Sequence, residues 1–299
     1  MSGMNEIPII DLRGDDEAVR ASLQRAFEEI GFAVVTGHGV DGGLLTGIVD
    51  AAHAFFALSD EEKRESAPRR WNERATNRYR GYFPADVHGK EGLDLGDPLL
   101  DDEVLLARPY YERNVVPEAL DESFHTAVEA WFAALTPLGE WIAREALAAI
   151  DSSPGWVDDA FLRPTSQTTL RFNRYPTETA LASEDPNAPA LFCEAHYDSD
   201  VLTLLHQDKQ GGLQVRTTDQ RWIDVPYLEG AFIVNTGRAL QTLSGDRYPA
   251  TLHRVLPTES ARLSIPFFLE PRWDAPIGDE TYEAHIERAM SRLPEYTDR

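Results

Sequence analysis

Cysteine is almost missing from this chain: Cys193 is the single one among 299 residues. No intramolecular disulfide can form, so stability has to come from a packed core. Cations are scarce as well, with 28 Lys and Arg against 51 Asp and Glu and a formal net charge of −23. Such a chain repels phosphate backbones and anionic lipid, which argues against nucleic acid or a membrane surface as partner. No apolar run approaches the length that crosses a bilayer, and no signal-peptide pattern opens the chain. A reducing cytoplasm is therefore the expected location. Internal repeats, low-complexity tracts and domain linkers are absent too. One structural unit remains, and 42% hydrophobic residues are ample for its core.

What is present changes character along the chain. Ile7 to Leu12 reads as a short strand, Asp15 to Ile30 has helical periodicity, and Gly31 to Val35 reads as a buried strand. His38, between two glycines at the end of that strand, reads as structural. Leu44 to Leu58 is predicted helical, and Ser59 is placed to cap a short helix from Asp60. His88 to Asp97, rich in Gly and Asp, reads as loop. Pro117 to Ile150 carries a wide apolar stripe at helical spacing, including Phe124, Val128, Trp131, Phe132 and Leu135. From about residue 166 short strands take over, interrupted by a loop at Leu181 to Pro189, and Asp279 to Met290 reads as a closing helix. The expected division is an N-terminal strand and helix region, 1–165, a β core, 166–270, and a C-terminal helix, 271–299, all in one unit. Many short strands between turns point to a sandwich or barrel, with helices packed on it.

The chemistry concentrates in that core. His196 and Asp198 are two residues apart, which on a strand puts both on one face. His253 supplies a second imidazole. Two imidazoles and one carboxylate are the ligand set of the non-haem Fe(II) facial triad, which leaves adjacent positions open. A hairpin turning at Thr258-Glu259 would put His253 opposite Ser264 and Val255 opposite Arg262, gathering His253, Arg262 and Ser264 on one surface. An arginine fork with a hydroxyl beside it suits a carboxylate. A metal with free positions and a carboxylate clamp nearby make a site for a chelating dicarboxylate. Cys193, close to His196 in the chain, reads as a small buried apolar residue rather than a ligand.

These residues resemble the isopenicillin N synthase-like branch of the Fe(II)/2-oxoglutarate-dependent oxygenases. The likeness includes the opening Ile7-Pro8-Ile9-Ile10-Asp11-Leu12, the later Gly37-His38-Gly39-Val40 and Arg80-Gly81-Tyr82, and extends to about residue 270. It implies a mixed α/β chain whose all-β core is a double-stranded β-helix, or jelly-roll, with flanking helices. It implies His196, Asp198 and His253 as iron ligands, and Arg262 and Ser264 as the pair that holds the distal carboxylate of 2-oxoglutarate. Asn173 and Tyr175 match the family's Asn-x-Tyr-Pro positions, the tyrosine supporting that carboxylate. The implied reaction is oxidative decarboxylation of 2-oxoglutarate by O2 coupled to hydrogen abstraction from a small organic substrate. Hydroxylation, desaturation or ring closure can follow. Two alternatives stay open: a family oxidase that uses Fe(II) and O2 without 2-oxoglutarate, as isopenicillin N synthase does, and a non-catalytic ligand-binding jelly-roll.

The departures from the family pattern are cationic. Arg174 stands where the family commonly has tyrosine, and Arg238 follows the Asn-x-Gly turn where an acid is frequent. Lys63 to Arg80 holds seven cations in a chain otherwise poor in them. Arg64, Arg69 and Arg70 read as solvated or paired. Arg74, Arg78, Arg80, Arg174 and Arg238 are the candidates to contact a substrate that carries a carboxylate.

Overall fold

The computed structural model describes residues 6–85, 89–150, 152, 154–177 and 189–291. The N-terminal region runs β1 (Ile9–Asp11), α1 (Asp16–Glu29), β2 (Phe32–Thr36), α2 (Gly42–Phe56), α3 (Asp60–Glu65), β3 (Gly81–Phe83) and β4 (Glu91–Leu95). Its helices start where the chain supplies caps. Asp15 accepts from the backbone of Glu17 and Ala18, and Ser59 with Glu62 closes a reciprocal capping box on α3. Then come α4 (Glu103–Leu106), the long α5 (Glu122–Ala148) and α6 (Val157–Ala160).

The remaining strands are β5 (Thr169–Tyr175), β6 (Cys193–His196), β7 (Leu202–Gln207), β8 (Leu213–Arg216), β9 (Trp222–Asp224) and β10 (Phe232–Thr236). After α7 (Arg238–Leu243) follow β11 (His253–Val255) and β12 (Arg262–Leu269). A small hairpin, β13 (Pro276–Ile277) and β14 (Glu280–Thr281), leads into α8 (Tyr282–Met290). An eight-stranded sheet has the order β1-β2-β10-β7-β12-β5-β4-β3, and a four-stranded sheet the order β6-β11-β8-β9. These are the two layers of the jelly-roll.

Strand alternation divides the apolar residues into two cores. Leu202 and Leu204 of β7, with Phe267 and Leu269 of β12, face the helices and pack with Trp131, Phe132 and Leu135 of α5. Leu205, Phe32, Val34, Phe192, Val215 and Val255 fill the space between the sheets. The apolar stripe of α5 is thus a packing face, as its spacing predicts.

Two expectations are corrected. Within the stretch His88 to Asp97, read as loop, Glu91–Leu95 is instead a strand between β3 and β5, with Leu93 and Leu95 buried against the helices. Its glycine and aspartate face the other way, and cross-strand pairing outweighs their poor strand propensity. The hairpin pairing of β11 with β12 does not form either. β11 pairs with β6 and β8, whereas β12 pairs with β5 and β7 in the other sheet. The chain crosses between layers at Pro257, whose lack of an N–H suits the end of a ladder. The predicted loop at Leu181 to Pro189 lies outside the described residues, except for its last residue.

Candidate metal centre and carboxylate pocket

His196 ends β6 and lies directly opposite His253, the first residue of β11. Their ring centroids are 4.3 Å apart. Asp198 lies just past the end of β6, so strand alternation does not aim it. Hydrogen bonds do: its Oδ2 accepts from Thr203 Oγ1 at 2.6 Å and from Asn235 Nδ2 at 2.7 Å. That leaves Oδ1, 3.7 Å from Nε2 of each histidine. The other ring nitrogens are engaged, Nδ1 of His196 with the Glu194 carbonyl at 2.9 Å and Nδ1 of His253 with the Thr251 carbonyl at 3.0 Å. Those carbonyls fix the tautomers and turn both Nε2 atoms inward. Among the described residues these three form a group able to hold a metal ion, with ligand atoms within 4.8 Å of one another.

Electrostatics treat the three ligands differently. Burial opposes the charge on Asp198, but the two imidazoles and the bonds from Thr203 and Asn235 outweigh it and lower its pKa. Burial, reinforced by His196, lowers His253 to about 4, so its imidazole is neutral. Desolvation also opposes a charge on His196, yet the adjacent Cys193 sulfur and Asp198 carboxylate raise its pKa. Thr203 Oγ1 is also 2.9 Å from Asp200 Oδ2. A hydroxyl has one proton to give. Burial and the Asp198 charge push Asp200 well above the usual carboxylate range. Asp200 is thus the easier of the two carboxylates to protonate, which favours donation of the Thr203 proton to Asp198. Gly237 makes room for this arrangement: a Cβ there would meet Asp200 Oδ1 at 2.1 Å. Thr203→Val, which keeps the shape and removes the hydroxyl, is expected to weaken metal affinity roughly tenfold. A metal titration of the folded variant checks this; unchanged affinity would show that Thr203 does not hold the carboxylate.

The carboxylate pocket is built by the large sheet alone. Arg262 pairs with Tyr175 across the β12–β5 ladder, and Ser264 pairs with Asn173 on one side and Gln207 on the other. All point between the sheets, opposite the helix-facing Leu263 and Ile265. Arg262 is 1% exposed, donates Nε to the Gly211 carbonyl and Nη2 to Gln207 Oε1, and lies against the Tyr175 ring. Among the described residues its Nη1 is buried without a hydrogen-bond partner, as are Gln207 Nε2 and Asn173 Oδ1. A buried guanidinium left incomplete is costly, and a carboxylate completes it. The donor set therefore fits a carboxylate ligand, and the two imidazoles with one carboxylate fit Fe(II).

The cationic candidates end up in different places. Arg174 is on the helix-facing side of β5, 3.3 Å from Glu91 Oε1 and bonded to the Phe56 carbonyl. Arg80 is buried, donates to the Gln167 carbonyl and packs against Gly96. Neither is brought to the His/Asp group, because strand parity and burial direct both elsewhere. Arg74 and Arg78 are exposed, and their backbone N–H groups donate to the side chains of Asn72 and Glu112. Arg238, at the start of α7, stacks on Tyr197 with Cζ 4.2 Å from the ring centroid. His38 bonds the Gly230 carbonyl and accepts from Val40 N, a structural role. Cys193 is half-buried, not fully buried, and its sulfur is 3.8 Å from His196 Nδ1. Asn235 is the first residue of the Asn-x-Gly turn, which gives it no chemical role in the sequence, and Thr203 and Gln207 carry no ligand motif; all three join the site through sheet register. Lys90 also comes to this face, from the segment read as loop.

This fold and site define a class: a jelly-roll with a two-histidine, one-carboxylate centre. The family model described as the 2OG-Fe(II) oxygenase superfamily matches residues 166–271, and the one described as non-haem dioxygenase in morphine synthesis N-terminal matches residues 7–119. The chain is similar to isopenicillin N synthase of Streptomyces jumonjinensis, 30% identical over 88% of this chain and 84% of the relative. It is also similar to that of Streptomyces clavuligerus, 29% identical over 98% and 92%. A Neurospora crassa protein solved in complex with alpha-KG and thymine shares the fold, with TM-score 0.76, 21% identity and coverage of 96% and 97%. The chain belongs to the isopenicillin N synthase-like branch of the 2OG-Fe(II) oxygenase superfamily. Among the described residues no helix is long and apolar enough to cross a membrane.

Proposed function

We propose that the chain is an Fe(II)- and 2-oxoglutarate-dependent oxygenase that oxidises a small, carboxylate-bearing molecule. The observation that carries the co-substrate assignment is the incomplete guanidinium of Arg262, buried in a row with Tyr175 and beside Ser264 and Asn173. His196, Asp198 and His253 hold the iron through Nε2, Oδ1 and Nε2. Arg262 takes the distal carboxylate of 2-oxoglutarate in its fork, with the hydroxyls of Ser264 and Tyr175 beside it. Bound together, Fe(II), 2-oxoglutarate and O2 supply the oxidising power, releasing succinate and CO2. Phe192, Leu205 and Val255 line the space between the sheets with apolar surface that limits water. A reducing cytoplasm suits ferrous iron and the Cys193 thiol.

The likeness to isopenicillin N synthase favours a second reading, an oxidase that uses Fe(II) and O2 alone. Succinate release separates the two. Iron-loaded protein supplied with 2-oxoglutarate and O2 is expected to form succinate, with acceleration by the true substrate. Substrate oxidation at full rate without 2-oxoglutarate would establish the oxidase.

A further inference from the structure

Asp198 is the one member of the metal group that lies off the strands, so its place depends on how the backbone around it is held. The carbonyls of residues 198 to 201 are each captured. That of Asp198 accepts from Arg238 N at 2.9 Å, that of Asp200 from Ala239 N at 3.0 Å, and that of Val201 from Gly237 N at 3.1 Å. Three successive N–H groups at the start of α7 thus take three of the four. The remaining carbonyl, that of Ser199, accepts from a side chain on the C-terminal helix: His285 Nε2 lies 2.8 Å from it. A carbonyl only accepts, so that ring nitrogen carries a proton. A segment that reads from the sequence as a closing helix therefore reaches back to the loop that carries a metal ligand.

The donor is itself fixed. His285 is buried and stacks on Tyr282, with ring centroids 5.7 Å apart and planes inclined at 26°. Tyr282 is fully buried and donates its hydroxyl to Glu270 Oε1 at 2.6 Å, and Ile286 packs in the helix-facing core. A donor placed this firmly on the Ser199 carbonyl limits rotation of the peptide between Ser199 and Asp200. The residues on either side of Ser199 are Asp198 and Asp200, whose carboxylates meet at Thr203. A freed peptide can turn and carry Asp198 Oδ1 away from its place 3.7 Å from both histidine Nε2 atoms. We propose that His285 is a positioning residue for Asp198, and that through it the order of α8 and the binding of the metal are coupled. This rests on His196, Asp198 and His253 being the metal ligands. Such coupling is reciprocal: the docked helix favours the metal, and the metal favours the docked helix.

The test uses the full chain with Ni(II) as a redox-inert probe, and reads metal affinity by titration and α8 by amide hydrogen exchange. Ni(II) is expected to bind the parent and to slow exchange in Tyr282–Met290. His285→Phe keeps a ring to stack on Tyr282 and removes the donor. It is expected to weaken Ni(II) binding roughly tenfold and to abolish the slowing in α8. His285→Gln, whose amide nitrogen can donate from nearly the same place, is expected to return both to within about threefold of the parent. His285→Leu serves as the variant without a donor should His285→Phe misfold. A lower melting temperature with unchanged Ni(II) affinity would make His285 merely structural and overturns the proposal. So does exchange in α8 that ignores Ni(II) in the parent, or responds to it equally in His285→Phe. Failure of His285→Gln to restore affinity assigns the effect to ring packing and overturns it as well. A parent that binds no Ni(II) is a different result: it removes the ligand set itself, and the role of His285 with it.

Discussion

Asp198→Ala folds and loses Fe(II) affinity by on the order of a hundredfold or more, beyond the tenfold to hundredfold scale of losing an outer support. Asp198 is the one anionic ligand of the group, and its Oδ1 is the atom that both histidine Nε2 atoms approach at 3.7 Å. Without it, two imidazoles remain with no charge to offset that of the metal. The substitution also strands the Thr203 hydroxyl and the Asn235 amide, which donate to Asp198. A lost buried acceptor costs roughly 1–3 kcal/mol, so a lower melting temperature accompanies the loss of metal. The measurement is a metal titration on protein whose circular dichroism matches the parent. Affinity within about threefold of the parent would remove Asp198 from the ligand set.

Arg262→Met abolishes the rise in melting temperature that 2-oxoglutarate gives the metal-loaded parent. A ligand that binds the folded state alone raises stability by mass action, so the rise reports binding. Charge-assisted bonds are worth about 1.5–3 kcal/mol, which sets the expected loss of affinity at roughly tenfold or more. Arg262→Lys fares little better, because one ammonium cannot reproduce a fork that already serves Gly211 and Gln207 while holding Nη1 free for a ligand. Without 2-oxoglutarate the Met variant has one buried charge fewer, and replacing such a charge by an apolar side chain is often neutral. The variant thus separates ligand loss from misfolding. A 2-oxoglutarate response in Arg262→Met equal to the parent's would assign the co-substrate carboxylate elsewhere.

Much of this molecule is legible in one dimension. The cap at Ser59, the apolar stripe of α5 and the strand sequence after residue 166 are local signals, and local chemistry sets them. The spacing of His196 and Asp198 and the distant His253 named a metal group that the fold brings together. Residue types sufficed there, because two imidazoles and a carboxylate have few other reasons to meet.

Pairing partners were not legible. A hairpin between β11 and β12 satisfies every local rule, yet the two strands belong to different sheets, since nothing within either segment says which distant edge it will meet. Arg174 shows the cost of one step of parity: a single residue from Asn173 and Tyr175, it faces the helices and Glu91. Lys90 shows the reverse, a cation directly before the strand that β5 recruits from a stretch dense in glycine and aspartate, with its ammonium 5.8 Å from the centroid of the Tyr175 ring. By itself, then, the sequence determined the chemical inventory of the site and the kinds of element that carry it, because these depend on residue type and short-range spacing. Only the tertiary structure decided which cations face the site, and which hydroxyls and amides hold the carboxylates in place. Those depend on sheet register, which is set by burial summed over whole strands rather than by any residue's neighbours in the chain.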